Sequence, residues 1–171
     1  MENIQRVKDQ LKKYNLSERY LEMPSSTATV PFAAQAIGCE EDRIAKTLSF
    51  KTKQGAIVIV ASGQSRVDNK KFKEVFKEKA VFLKGEEVPQ LTGHPIGGVS
   101  PFGLKDGVRI YLDLSLKKYD YVYPAAGAPN NAVKLSPAEL GRTFANNHSL
   151  NLFSKKRDLR LLRLNRVNPA D

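Results

Sequence analysis

The sequence predicts one α/β domain of the α+β type, with a mixed, largely antiparallel sheet and flanking helices. Its 171 residues suit a single domain, because a chain of this length buries roughly two-thirds of its unfolded surface. Hydrophobic residues make up 41% of the chain and aromatic residues 8%, which predicts a packed core. Helical and strand patterns intermingle without a linker, a repeat or a low-complexity stretch, as is typical of one layered domain.

Apolar spacing and capping residues predict the helices. Apolar residues recur at helical spacing over residues 2–14, which indicates an amphipathic first helix with a charged outer face. Thr29 is a suitable N-cap for a short second helix that ends at Gly38. Asp68 can cap a third helix, and the Ser-Pro-Ala-Glu sequence that begins at Ser136 is a capping box for a helix reaching about residue 145.

Runs of β-forming residues predict the strands. The first two are joined by Lys53, Gln54 and Gly55, which is typical of a hairpin. Residues 91–103 contain too many glycines and prolines for regular structure. The predicted strands cover residues 47–52, 56–62, 80–83, 108–112, 119–123 and 150–153.

Several classes of protein and site are disfavoured by composition. The longest apolar runs fall far short of the roughly 20 residues that cross a bilayer, so no membrane partner is expected. The charged N-terminal residues lack the apolar core of a secretory signal, so a cytoplasmic location is expected. Cys39 is the only cysteine, and His94 and His148 are the only histidines, which disfavours a disulfide or a metal centre. Nucleotide-binding, zinc-protease and hydrolase-elbow motifs are absent, so no cofactor is expected.

The positive charge is concentrated near the C-terminus. The chain carries a formal charge of +10, and six cations with one anion lie in residues 155–166. This segment is interpreted as a basic arm that contacts a phosphate backbone, or alternatively as a solubilising tail whose leucines pack in part on the domain. The predicted division is a domain over residues 1–154 and a basic segment over residues 155–171. The predicted nucleic-acid contacts in the segment are Lys155, Lys156, Arg157, Arg160, Arg163 and Arg166.

Two local features could form a binding site. Gly97 and Gly98 allow successive backbone N–H groups to point into one concavity, which could hold a carbonyl oxygen or a developing oxyanion. A plain connection between two strands explains the same residues equally well. Lys46 precedes an apolar strand and could bind a phosphate, although a single lysine is more often on the solvated surface.

The order of these motifs resembles a known family. The motifs are Thr-Ala-Thr-Val-Pro-Phe from residue 27, Lys-Thr-Leu at residues 46–48, Gly-Gly-Val-Ser-Pro-Phe-Gly at residues 97–103, Ala-Gly at residues 126–127 and Leu-Ser-Pro-Ala-Glu-Leu at residues 135–140. Over about residues 20–145 the chain resembles the YbaK family, which includes the editing domain inserted in bacterial prolyl-tRNA synthetases.

The resemblance implies a compact α/β domain that hydrolyses mischarged aminoacyl-tRNA in trans, at the ester between the amino acid and the terminal ribose. It implies aminoacyl-tRNA as a partner, with a synthetase as a further candidate, and no metal or cofactor. The substrate's own ribose hydroxyl and a water would carry the proton transfer. The implied catalytic positions are Lys46, Gly97, Gly98, Ser100 and Pro101. The implied substrate-binding positions are Thr47, Val99, Phe102, Ala126, Gly127 and Asn131.

One departure from the family pattern concerns substrate choice. Family members often place an acidic residue or a histidine a few residues after the Ala-Gly pair, and here that position falls on Ala132 or Asn131. A pocket for alanine, serine or another small amino acid is therefore expected, because steric exclusion of the larger cognate gives editing its discrimination. The same departure leaves open a binding module that recognises tRNA or a synthetase without turnover. A general basic RNA-binding domain is a third interpretation.

Overall fold

The computed structural model describes residues 2–144, together with the backbone of residues 148–150 and 153–154. Three 3₁₀ helices connect the longer elements, at Ser17–Arg19, Glu41–Arg43 and Leu114–Lys118. The α-helices are α1 (Glu2–Lys13), α2 (Val30–Ile37), α3 (Asn69–Phe76), α4 (Glu87–Thr92) and α5 (Pro137–Thr143). The strands are β1 (Tyr20–Glu22), β2 (Ile44–Thr52), β3 (Gly55–Ser62), β4 (Arg66–Val67), β5 (Arg109–Asp113), β6 (Tyr123–Pro124), β7 (Asn131–Val133), β8 (His148–Leu150) and β9 (Phe153–Ser154).

The predicted hairpin forms the centre of the sheet. Strands β2 and β3 pair antiparallel from Thr52 opposite Gly55 to Ala45 opposite Ser62. Gly55 has a positive φ of 113°, which a glycine adopts without the strain that a side chain would cause. The side chains of β3 are buried from Ile57 onward, as expected for a strand covered on both faces.

The main sheet is mixed, as the sequence predicts. Its strand order is β6-β2-β3-β5-β8. The pairing of β2 with β3 is antiparallel, whereas β6 on β2, β5 on β3 and β8 on β5 are parallel. The expected antiparallel pairing occurs in the hairpin, in the two-stranded sheets β1–β7 and β4–β9, and at isolated bridges. The long crossover containing α3 and α4 makes the parallel pairing of β3 with β5 possible.

The sheet separates two apolar clusters. On one face, Ile57, Ile59 and Ala61 of β3 pack with Phe72 of α3. On the other face, Val60 packs in a larger cluster to which α1 and α5 contribute buried residues. Alternate residues of a strand point to opposite faces, so β3 supplies both clusters.

Three of the predicted strands differ from the observed structure. Residues 80–83 form only an isolated bridge, between Phe82 and Phe50, and cover part of the β2 edge. Within residues 119–123, Tyr123 begins β6 and Val122 forms an isolated bridge with Leu135, while residues 119–121 form no strand. The predicted strand at 150–153 corresponds to the ends of β8 and β9, and residues 151 and 152 lie outside the described residues.

The helix predictions are closer to the observed elements. Residues 2–14, the helix after Thr29 and the helix after Asp68 are confirmed within one or two residues. The capping box at Ser136 is present, and α5 ends at Thr143, while residue 145 lies outside the described residues. Helix α4 occupies residues for which the sequence predicts no helix, and it overlaps the beginning of the predicted irregular segment.

Candidate functional site

A cavity of about 200 Å³, here the first cavity, lies between α2 and the beginning of β2. Apolar side chains form most of its wall, and Ala132 of β7 is among them. The residues lining it are Thr27, Ala28, Thr29, Val30, Ala33, Ile37, Ile44, Ala45, Lys46, Thr47, Leu48, Gly97, Val99, Tyr123, Ala125, Asn131 and Ala132. Pockets for drug-sized ligands typically have about 300–1,000 Å³, so this cavity suits a smaller group.

Helix α2 forms one wall because its ends are fixed locally. Thr29 accepts a hydrogen bond from the backbone N–H of Phe32 at 3.3 Å, and Pro31 occupies the first turn. Gly38 ends the helix in the left-handed conformation, with a φ of 82°. The predicted cap and stop are thus both present, and they direct Ala33 and Ile37 toward the cavity.

Lys46 lies where the first cavity meets a second, more open cavity of about 590 Å³. The second cavity is lined by Val30, Pro31, Glu41, Lys46, Gly63, Gln64, Ser65 and Arg66. The Lys46 ammonium donates a hydrogen bond to the backbone carbonyl of Ser65. Burial lowers the pKa of Lys46, as does the charge of Arg66, while Asp42 and Asp113 act in the opposite direction.

The turn that carries Ser65 is fixed by Asp42. The carboxylate of Asp42 accepts hydrogen bonds from the Gln64 N–H at 3.1 Å and from the Ser62 hydroxyl at 3.0 Å. A Cβ atom on Gly63 would lie 2.0 Å from the carbonyl oxygen of Glu41, so this position has no room for a side chain. The carbonyl that holds Lys46 therefore belongs to a closely packed turn.

The glycine loop, defined as residues 97–101, borders the first cavity through Gly97 and Val99. Gly97 has a φ of 82°, and its α-carbon faces Ala28 across the cavity rim. A Cβ on Gly98 would lie 2.8 Å from the backbone of Ala128, so the two chain segments touch directly. Both glycines are thus required by geometry, the first by conformation and the second by lack of space.

The remaining predicted catalytic positions, Ser100 and Pro101, form the buried end of the loop. Ser100 is fully buried, and its hydroxyl accepts a hydrogen bond from the N–H of Phe102 at 3.1 Å. Pro101 is buried beside it, and Phe102 packs in the core cluster. These side chains support the loop from within the domain, and they are not among the residues that line either cavity.

Asn131 lines the first cavity, yet its side-chain amide is engaged by the neighbouring loop, residues 125–128. Its oxygen accepts from the N–H groups of Ala126 and Ala128 at 3.0 and 3.1 Å. Its nitrogen donates to the Tyr20 hydroxyl at 3.1 Å. Ala126 and Gly127 are buried behind the cavity wall, so this part of the predicted substrate site shapes the wall.

Two hydroxyl groups in the first cavity lack hydrogen-bond partners. The Oγ1 atoms of Thr27 and Thr47 are buried and make no hydrogen bond in the described structure. Only 7% of the surface of residue Thr27 is exposed. Buried polar groups are normally satisfied, so two such groups on one cavity favour a polar ligand there. The sequence predicts Thr47 as a site residue but not Thr27. Thr27 is far from β2 along the chain, and only the fold brings the two to one cavity.

Within the described residues, no group of three or more His, Cys, Asp or Glu side chains could hold a metal ion. In the same part of the chain, no helix is both long and apolar enough to cross a membrane. The six predicted nucleic-acid contacts between Lys155 and Arg166 lie outside the described residues. The last described strand, β9, places Ser154 opposite Arg66, which lines the second cavity.

Comparison with known proteins gives consistent matches. Residues 24–143 match the family model described as an aminoacyl-tRNA editing domain. Over 139 residues the chain is 43% identical to the uncharacterized protein YwhH of Bacillus subtilis, covering 81% of this chain and 88% of YwhH. It is 32% identical over 106 residues to EbsC of Enterococcus faecalis, named as a candidate Cys-tRNA(Pro)/Cys-tRNA(Cys) deacylase, covering 61% of this chain and 65% of EbsC.

A solved structure shares the fold. The crystal structure of a candidate trans-editing enzyme for prolyl tRNA synthetase superposes with a TM-score of 0.80 at 33% sequence identity. The superposition covers 89% of this chain and 97% of that one. The mixed sheet with flanking helices is therefore common to both proteins.

The unpartnered hydroxyl of Thr27 predicts that Thr27→Val stabilises the free protein. Valine has nearly the same shape and removes the cost of a buried, unsatisfied hydroxyl, so the free energy of unfolding in urea should rise by about 1 kcal/mol. Thr92→Val is the matched control, because the buried Thr92 hydroxyl donates to Val88 O at 2.6 Å and accepts from His94 N–H at 3.1 Å. The control should lose about 1–3 kcal/mol. If Thr27→Val destabilised the protein as much as Thr92→Val does, the Thr27 hydroxyl would have a hydrogen-bond partner, which contradicts the structure.

Proposed function

Because the chain belongs to the aminoacyl-tRNA editing domain family, as its motifs predict, we propose that it is an aminoacyl-tRNA deacylase acting in trans. The observation that carries the proposal is the first cavity, which combines a small apolar wall, two unpartnered hydroxyls and the ammonium of Lys46. A cytoplasmic place of action goes with this proposal, since its substrate is charged tRNA.

The proposed placement puts the amino-acid side chain in the first cavity and the terminal nucleoside toward the second. The ester then lies near Lys46, which borders both cavities. In this placement the ester carbonyl faces the backbone of Gly97 and Val99, since the N–H of Gly98 already donates to the carbonyl oxygen of Pro95 at 3.1 Å. The buried, unpartnered hydroxyls of Thr27 and Thr47 belong to residues of the same cavity wall, beside the aminoacyl group. The distance to the carbonyl is set by the loop, because Gly98 packs directly on Ala128.

In the proposed reaction, a water oxygen attacks the ester carbonyl and the bond to the ribose oxygen breaks. The ribose oxygen leaves with a proton, and the free ribose hydroxyl of the substrate relays the proton from the water. The protein contributes position and electrostatic stabilisation of the developing oxyanion through the loop and Lys46. Proton transfer by the substrate itself is consistent with the first cavity, which among the described residues is lined by no His, Asp or Glu side chain.

The proposed substrates carry small amino acids such as alanine, serine or cysteine. The cavity is small, and Ala132 presents an apolar wall where an acidic residue or a histidine would add a specific polar contact. A site of this kind accepts small side chains and excludes larger ones sterically. The name of the relative EbsC refers to cysteine, which belongs to the same size class.

A non-catalytic module of the same fold, binding tRNA or a synthetase, is the second candidate. The observation in its favour is that the Asn131 amide is engaged by residues 125–128, which leaves that predicted contact unavailable to a substrate. Tight, salt-dependent tRNA binding without ester loss would select this alternative.

The basic segment is proposed to bind the tRNA body. Residues 1–154 form the editing domain in this proposal, and residues 155–171 follow directly after Ser154. The pairing of Ser154 with Arg66 brings the chain to the second cavity before the segment begins. Cations in this segment can therefore contact phosphates close to the tRNA end that enters the site.

Incubation with a panel of mischarged tRNAs tests the activity. Ester loss above the buffer rate is expected with a small amino acid and not with leucine or phenylalanine. Lys46→Ala should lower kcat/KM by about 100-fold, since it removes a charge beside the ester. Lys51→Ala is the control, because Lys51 lies on the same strand and is exposed. No ester loss for any pair at enzyme excess would exclude the deacylase, and full activity of Lys46→Ala would exclude the assigned role.

Replacing the six cations of residues 155–166 by glutamine tests the basic segment. We expect weaker tRNA binding and a shallower dependence of log Kd on log salt, because fewer counterions are released. Hydrolysis at saturating substrate should change little. Glutamine at Lys8, Lys12 and Lys13 of α1 is the control for general charge loss, with a smaller effect on the slope. An unchanged slope in the six-residue variant would contradict the proposed contact.

A further inference from the structure

The polar face of α1 holds the two ends of the segment that contains the glycine loop. The Arg6 guanidinium donates to the carbonyl oxygen of Gly103 at 3.0 Å and to that of Gly93 at 3.1 Å. The Gln10 side chain accepts from the N–H of Gly103 at 2.8 Å. One helix thus joins the beginning and the end of residues 93–103. All of α1 lies before the region matched by the family model.

His94 belongs to the same segment, and its side chain is fully buried. Its Nε2 is 2.7 Å from the carbonyl oxygen of Phe102, which can only accept, so Nε2 carries the hydrogen. Its Nδ1 is 3.3 Å from the Asn3 side-chain nitrogen, which donates. The imidazole is therefore neutral, with one nitrogen donating and the other accepting.

Asn3 connects His94 to the neighbouring loop. Its side-chain nitrogen also donates to the carbonyl oxygen of Gly127 at 2.6 Å, so its two hydrogens serve the two loops. A Cβ on Gly127 would lie 3.0 Å from that nitrogen and 3.3 Å from His94 Nδ1, which explains why a glycine is needed here. Asn3 and His94 thus join residues 125–128 to the base of the glycine loop.

We propose that Asn3 and His94 are positioning residues of the deacylase, which set the glycine loop against residues 125–128 and so fix the carbonyl-binding geometry. The catalytic consequence rests on the proposed function, whereas the structural coupling of the two loops does not. Neither side chain lines the first or the second cavity, so each acts through the backbone that it holds.

The network requires neutral His94. A proton on Nδ1 would face the donating amide of Asn3, and rotating that amide to present its oxygen would break its bond to Gly127. Burial is the main cause that lowers the pKa of His94, and the charge of Arg6 on α1 acts in the same direction. The hydrogen bond to Phe102 raises it. Arg6 is the charged side chain facing the ring from α1, and the contacts from the other packed segments are the backbone groups of Phe102 and Gly127.

Hydrogen exchange of the free protein tests the coupling without reference to activity. Asn3→Ala should increase amide exchange in the peptides covering residues 94–103 and 125–131. Gln5→Ala on the same helix is the control, because the exposed Gln5 side chain bonds only to Asp9 in the described structure. Unchanged exchange in both peptides of Asn3→Ala would overturn the coupling, whatever the protein's activity.

The pH dependence of single-turnover deacylation tests the catalytic consequence. The wild-type rate at saturating enzyme should fall at pH values well below the ordinary histidine pKa of about 6.5, because burial lowers the pKa of His94 and delays its protonation to more acidic pH. His94→Gln keeps a donor for Phe102 but does not titrate, so we expect a rate about 10- to 100-fold lower and without this acid decrease. His148→Gln should keep the wild-type profile. A wild-type acid decrease in His94→Gln, or its loss in His148→Gln, would overturn the role of His94.

Discussion

The candidate site depends on the direct contact between two backbone segments, at Gly98 and Ala128. A single methyl group on Gly98 would meet the backbone of Ala128 at 2.8 Å, so the contact exists only without a side chain. Because Gly98 packs directly on Ala128, the neighbouring loop residues Gly97 and Val99 have a fixed position at the wall of the first cavity. Asn131 holds residues 125–128, and Arg6 of α1 holds both ends of the segment that contains the glycine loop.

Two features of the site lower the stability of the free protein. Lys46 is buried enough to lower its pKa, and the two threonine hydroxyls in the first cavity have no partner. Each feature disfavours the empty state, since charges and polar groups lose water on burial. A substrate that supplies an anion or ester oxygen near Lys46 and polar atoms for the hydroxyls would recover these interactions. The same buried polar groups thus destabilise the empty site and favour a substrate that provides partners for them.

Local signals in the sequence predicted much of the fold. Thr29, Asp68 and Ser136 cap the helices that they were expected to cap, and Gly38 ends α2. The β2–β3 hairpin follows from adjacent β-forming runs and a turn. The predicted strand at 119–123 overlaps β6 only at Tyr123. Strands β1, β4 and β7 are not predicted, because they contain only two or three residues and are defined by distant partners. The parallel pairings were missed for the same reason, since no local pattern specifies which strand lies beside which.

The site residues, too, divide into those that local sequence signals predict and those that depend on distant contacts. Lys46, Thr47, Gly97 and Val99 were predicted and do line one cavity. Thr27 and the polar face of α1 were not predicted, because their importance comes from contacts with residues far along the chain. The helical pattern identified the apolar face of α1 and left its polar face as an outer surface. In the structure, Asn3, Arg6 and Gln10 of that helix instead hold the segment of residues 93–103, which contains the glycine loop.

The most direct measurement is the crystal structure with an amide-linked analogue of alanyl-adenosine, in which the ester oxygen is replaced by nitrogen and hydrolysis is prevented. The account predicts the alanine methyl against Ala132 in the first cavity, and the carbonyl oxygen about 3 Å from an N–H group of the glycine loop. It also predicts the nucleoside beside Lys46, toward the second cavity. An analogue bound with its amino acid outside the first cavity, or with its carbonyl turned away from the glycine loop, would contradict it.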